Sequence, residues 1–116
     1  MSKPKINARK KGHAFELAIA KQMREMGFSD CCSSRLESKS LDDAGVDLCH
    51  TKPFNIQAKA VEKTINHHAI LERMPNDPNY NLVVQKKNRQ GVVVSMRWDD
   101  FIELLQMLIQ EGIIKP

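Results

Sequence analysis

The stretch from Asp42 to Ala60 constrains this chain more than any other. It runs Asp42-Asp43-Ala44-Gly45-Val46-Asp47-Leu48 and ends on Phe54-Asn55-Ile56-Gln57-Ala58-Lys59-Ala60. The first half reads as a loop entering a short strand. The second half alternates, with Ile56, Ala58 and Ala60 on one side and Asn55, Gln57 and Lys59 on the other. Side chains of a strand point to opposite faces with a period of two, so Gln57 and Lys59 share a face. Thr51, Lys52 and Pro53 bring turn chemistry between the two runs. Paired as a hairpin, the runs bring Asp47 near Gln57 and Lys59 at a sheet edge.

One carboxylate, one carboxamide oxygen and one ammonium suit metal-assisted cleavage of a phosphodiester. Carboxylates and neutral oxygens hold a hard divalent ion such as Mg2+, which keeps several waters. The bound ion activates a water and neutralises phosphate charge. A lysine alongside stabilises the negative charge that develops. The plainer alternative is a turn-capping Asp47 beside a solvated polar strand face, which is ordinary in sheets. Asp42 and Asp43 are rival carboxylates. Asp47 is preferred because Val46 and Leu48 flank it, and an acid in an apolar strand needs a reason.

Composition narrows the classes. A chain of 116 residues makes one domain, residues 1–116. Such a domain buries roughly two-thirds of its unfolded surface. Hydrophobic content of 41% with 28% charged residues describes a globular protein. No apolar run approaches the roughly 18 residues that span a bilayer, and the basic N-terminus lacks the apolar segment of a signal peptide. A cytoplasmic, intracellular protein without a membrane partner is expected. The net charge of +4 is modest, but its placement is not. Residues 1–24 carry Lys3, Lys5, Arg9, Lys10, Lys11, Lys21 and Arg24 against the single acid Glu16. That clustering is the footprint of phosphate-backbone binding, with Lys5, Arg9, Lys10 and Lys11 as candidate contacts; a solvated helix face is the alternative. Six aromatics in all argue against stacking on single strands. Cys31, Cys32 and Cys49 form no CxxC pair and read as reduced thiols. Zinc binding through Cys49, His50, His67 or His68 has no recognised ligand spacing.

The remaining elements follow from periodicity. Residues 1–6 are expected to be a flexible basic arm. A helix is expected from about Asn7 or Ala8 to Met26, with Asn7 as N-cap and Gly27 as its stop. Its apolar stripe is Phe15, Ala18, Ile19, Met23 and Met26. Glu16 lies beside that stripe, and Gly12 invites a packing or ligand-approach role. Ser29–Leu36 reads as a first strand and Glu37–Ala44 as a polar loop. Asn66–Met74 is a second helix opened by His67 and His68 and closed by Pro75 and Pro78. Leu82–Lys87 and Val92–Arg97 are strands of a hairpin, with Lys86, Lys87 and Arg89 at its tip as a second phosphate clamp. The last helix runs from Trp98 or Asp99 to Glu111 on an apolar face of Phe101, Leu104, Leu105 and Leu108. Its apolar residues exceed what one small sheet needs, so part of it is expected to face another subunit.

Asp47, nine intervening residues, then Gln57-Ala58-Lys59 resembles the core of the PD-(D/E)xK nuclease superfamily. Gly12-His13-Ala14-Phe15-Glu16 is similar to that superfamily's first helix, whose glutamate completes the site. The order of elements across nearly the whole chain is most like archaeal-type Holliday junction resolvases and related small phage nucleases. Gln57 departs from the usual acid and also looks like the methyl-directed restriction branch; its carboxamide oxygen can ligate a metal but brings no charge. The resemblance implies a restriction-endonuclease-like α/β fold, a mixed five-stranded sheet flanked by helices in the order α-β-β-β-α-β-β-α. It implies an Mg2+-dependent endodeoxyribonuclease, with Mn2+ as a substitute. Glu16, Asp47, Gln57 and the Ala58 carbonyl become the metal ligands, and Lys59 the group that activates water or stabilises the transition state. Arg35, Ser38 and Lys39 become phosphate contacts or supports of the site. A homodimer cutting four-way junctions symmetrically is implied. A restriction-like or repair nuclease on duplex DNA, a non-catalytic DNA-binding module and a structural protein assembling through its last helix stay open.

Overall fold

A computed structural model describes the backbone of residues 4–116 and the side chains from residue 9 onward. The first helix, α1, spans Pro4–Glu25. It begins a turn before Asn7, so Asn7 is not its N-cap. Proline suits this start, because the first helical position has no intrahelical use for an N–H. Of the expected arm, residues 1–3 lie outside the described residues and 4–6 are helical. The helix ends at Gly27, whose φ of +118° is open to glycine and strained for other residues. Its buried face is Phe15, Glu16, Ile19 and Ala20, with Met23 half-buried. Ala18 and Met26 are exposed, contrary to the predicted stripe. Glu16 therefore sits within the apolar face. Gly12 does not serve a close approach, since a Cβ there meets nothing within 4 Å.

The expected Ser29–Leu36 strand is only a two-residue strand, β1 (Cys32–Ser33). Two short helices replace its end and the polar loop: α2 (Ser34–Glu37) and α3 (Lys39–Asp43). Both are capped by serine. The Ser33 hydroxyl accepts from Arg35 N–H and the Ser38 hydroxyl from Leu41 N–H. Serines favour such positions because the hydroxyl replaces a missing intrahelical partner. The polarity that suggested a loop was the chemistry of helix starts.

Strand β2 is Leu48–Cys49 and pairs antiparallel with β1, Cys32 opposite Cys49. Strand β3 is Phe54–Ala60. The connection between them contains a cis Lys52–Pro53 peptide, and the Thr51 hydroxyl donates to Phe54 C=O at 2.7 Å. The two strands do not form the expected hairpin ladder. A backbone bond from Asp47, just before β2, reaches β3: Asp47 N–H donates to Ile56 C=O at 2.8 Å. Helix α4 (His67–Arg73), capped by Asn66, crosses to strand β4 (Tyr80–Lys87). β4 lies parallel to β3, with Phe54 opposite Tyr80 and Ala60 opposite Lys86. Parallel neighbours need such a crossover. Strand β5 (Gly91–Ser95) returns antiparallel to β4 around a tip where Arg89 and Gly91 both have positive φ.

The five strands thus form a two-stranded sheet, β1-β2, and a three-stranded sheet, β3-β4-β5, in place of the expected single five-stranded one. Helices cover both faces of β3 and β4, while β5 is exposed at Val92, Val93 and Val94. Ile56, Val84 and Leu82 pack on Phe15, Ile19 and Ala20 of α1. Val83 packs on Ile70, Leu71 and Met74 of α4. Among the described residues this is a compact α/β arrangement of two sheets and five helices.

The last helix, α5 (Trp98–Gln110), is different. Among the described residues none of its side chains is buried, and Trp98, Phe101, Met107, Leu108 and Ile109 are exposed. Tyr80 Oη donates to Glu103 at 2.8 Å and ties it to β4. No described helix is long and apolar enough to cross a membrane.

Candidate active site

Asp47 stands where the two sheets meet. Its N–H donates to Ile56 and its Oδ2 accepts from Ala58 N–H at 2.7 Å. The acid thus does the bonding of a ladder residue with both main chain and side chain, and this holds it against β3. Burial raises its pKa from the ordinary 3.8 to about 6. The Ala58 N–H opposes that rise, the charge of Glu16 adds to it, and Lys59 again opposes it. Those influences make Glu16 and Lys59 electrostatic neighbours of Asp47, although α1 is far from both in sequence.

Glu16 is only 3% exposed. Arg35 donates to its Oε2 at 3.0 Å and Ser33 to its Oε1 at 3.4 Å. His13 Nδ1 lies 4.0 Å from Oε1 and is itself buried without a partner. A carboxylate placed in an apolar face needs such partners, because an unpaired buried charge costs several kcal/mol. Arg35 and Ser33 come from β1 and α2, so the irregular segment after α1 carries the shell of this acid.

Gln57 and Lys59 project together from β3, as alternation requires. In the orientation that satisfies both its ends, the Gln57 carboxamide donates to Gly45 C=O at 3.1 Å and accepts from Lys59 Nζ at 3.3 Å. Gly45 has φ +81°, and a Cβ there would stand 3.3 Å from the Gln57 carboxamide. The glycine permits both the turn into Asp47 and the approach of Gln57. Ala58 contributes its N–H to Asp47.

Two acids, Asp47 and Glu16, bear on one another, and Gln57 and Lys59 stand on the strand to which Asp47 bonds. Among the described residues Asp47 Oδ1 has no hydrogen-bond partner. Gln57 presents its oxygen to Lys59 rather than to the acids, and Glu16 keeps Arg35 on one oxygen. His13, Ser33 and Gly45 were missed as site residues. Gly45 stood in the opening stretch, but His13 and Ser33 had no signal beyond their neighbourhood to Glu16 and Arg35.

The candidate phosphate contacts divide. Arg9, Lys10, Lys86 and Arg89 are exposed, and Lys87 is half-buried. Lys11 pairs with Glu62 at 2.7 Å, and the same carboxylate accepts from Asn88 N–H, which ties α1 to the hairpin tip. Arg35 is engaged with Glu16, Ser38 caps α3, and Lys39 approaches Asp43 at 3.8 Å. The side chain of Lys5 lies outside the described residues.

A second cluster lies across β1 from Ser33. Cys32 Sγ donates to Glu37 Oε2 at 2.8 Å, and His50 Nε2 lies 2.5 Å from Glu37 Oε1. The bond to Glu37 pushes the Cys32 thiol up to about 12. His67 and His68 do not belong to it; His67 Nε2 faces Gln85 Oε1 at 3.3 Å.

Comparison of the chain with family models, with curated proteins and with solved structures returned no match.

Proposed function

We propose that this chain is a divalent-metal-dependent DNA endonuclease with a restriction-endonuclease-like core, acting on branched DNA such as the four-way junction. One observation supports the reading: the buried acid Glu16 of α1 bears electrostatically on Asp47, and Asp47 bonds to the strand carrying Gln57 and Lys59. Burial first, and the charge of Glu16 in addition, raise the pKa of Asp47, so its ionised form is unfavourable without a counter-charge.

Asp47 and Glu16 are the charged holders of Mg2+ or Mn2+, with the Gln57 side-chain oxygen and the Ala58 carbonyl as neutral ones. The ion, when bound, supplies Lewis acidity toward the phosphate and lowers the pKa of a water. Lys59 keeps a proton donor and a positive charge beside the reacting phosphate, where negative charge grows in the transition state. Arg35 and Ser33 hold the Glu16 carboxylate in one orientation. Arg9, Lys10, Lys86, Lys87 and Arg89 hold the sugar–phosphate backbone, so selectivity comes from DNA shape rather than base edges. A homodimer supplies the paired sites that symmetric junction cleavage requires. The exposed apolar residues of α5 support that assembly.

The test is cleavage of a four-way junction, a matched duplex and a single strand with Mg2+, by wild type and Asp47→Asn. The reading expects nicks in junction arms by wild type, none by the variant, and DNA binding by both. Cutting of the duplex as readily as the junction removes the resolvase assignment. Binding without cutting by wild type leaves a DNA-binding module.

A further inference from the structure

Cys32 Sγ, Cys49 Sγ and a Glu37 carboxylate oxygen all lie within 4.8 Å of one another. Three separate pieces of chain build this cluster. Cys32 and Cys49 face one another across the β1–β2 ladder, and Glu37 is the last residue of α2. His50 follows Cys49 with φ +62°, and its Nε2 meets the Glu37 oxygen that Cys32 does not. We propose that Cys32, Cys49 and Glu37 form a zinc site, with His50 holding the Glu37 carboxylate from the far side.

The donor chemistry selects the ion. Two thiolates favour a borderline-soft cation over Mg2+ or Ca2+, and a mixed sulfur–oxygen set with imidazole behind it suits Zn2+. Tetrahedral zinc, with bonds of about 2.3 Å to sulfur and about 2.0–2.2 Å to oxygen, separates its donors by roughly 3.3–3.8 Å. The donors, within 4.8 Å of one another, stand within about an ångström of that spacing. On binding, the two thiol protons pass to solvent as two Zn–S bonds form. The fourth position opens to solvent, because Glu37 and His50 are exposed. His50 acts as a positioning residue, in the manner of outer partners that orient metal-bound carboxylates.

The consequence is a clip. The ion joins the two ends of segment 32–49, which carries Ser33 and Arg35 against Glu16, and Gly45 and Asp47 against β3. Closing such a loop removes freedom from the unfolded chain. The site is separate from the acids of the candidate active site, and the proposal stands whether or not the chain cleaves DNA.

The experiment measures metal content of the reduced protein by mass spectrometry, then Zn2+ affinity against a competing chelator, then the absorption of the Co2+-loaded form. The proposal expects one zinc per chain and a thiolate-to-cobalt charge-transfer band. Cys32→Ser and Glu37→Gln, both at accessible positions, should each weaken zinc at least tenfold, and His50→Ala about tenfold. Cys31→Ala should leave affinity unchanged. Sub-stoichiometric zinc, a cobalt spectrum without the thiolate band, or equal loss from Cys31→Ala and Cys32→Ser overturns it. So does a Cys32–Cys49 disulfide that persists in the reduced, zinc-supplied protein.

Discussion

Asp47→Asn tests the site without any DNA. The substitution keeps the volume and an oxygen acceptor for Ala58 N–H, and it removes only the charge. In the metal-free protein that charge is unfavourable, because the pKa of Asp47 stands at about 6 against an ordinary 3.8. A carboxyl raised on folding contributes stability below the unfolded value and loses it as pH rises through the folded value. Each decade of proton affinity is worth about 1.4 kcal/mol, so full ionisation costs about 3 kcal/mol. Partial solvent access screens this to roughly 2 kcal/mol. In chelator at pH 8 the variant should therefore be more stable than wild type by roughly 2 kcal/mol, about 8 °C in Tm for a domain of this size. The advantage should shrink as pH falls from about 6 toward about 4. Added Mg2+ should raise the Tm of wild type and leave the variant unmoved. Thermal unfolding at both pH values, with and without Mg2+, decides this. A variant less stable than wild type at pH 8 in chelator would show that the Asp47 charge is structural, and would refute the argument that burial and the neighbouring Glu16 disfavour it.

Three further outcomes are expected. Gln57→Glu adds a charge at the proposed neutral ligand and should retain or tighten Mg2+ binding, measured by calorimetry; complete loss of cleavage would count against the proposed geometry. Gly45→Ala should destabilise by about 1 kcal/mol or more in urea unfolding, because φ +81° is unfavourable for alanine and its Cβ crowds Gln57 at 3.3 Å. Unchanged stability would mean that the turn relaxes freely. Tyr80→Phe removes the hydroxyl bond to Glu103 and should cost about 1 kcal/mol or less globally while hydrogen exchange in α5 accelerates. Unchanged exchange would place the anchorage of α5 elsewhere.

Local chemistry was enough for the elements with strong periodicity. The β3 alternation put Gln57 and Lys59 on one face, and the helices α1, α4 and α5 lie close to their expected ranges, because apolar spacing and terminal glycines act over a few residues. The segment from Ser29 to Ala44 was misread. Ser33 and Ser38 look alike as loop polarity or as helix caps until the chain around them is fixed. The α1 stripe was also misjudged, since Ala18 and Met26 are as apolar as the residues that are buried.

Sequence alone determined that Asp47 would precede an alternating strand and that an acid would stand in a basic first helix. Tertiary packing decided the rest: Glu16 inside the buried face, Arg35 and Ser33 upon it, Asp47 bonded to Ala58, and Cys32 opposite Cys49. These contacts join residues up to nineteen positions apart in the chain. No local preference encodes them; they follow from burying α1 and α4 on opposite faces of one sheet, which sets where each side chain finally meets its partner.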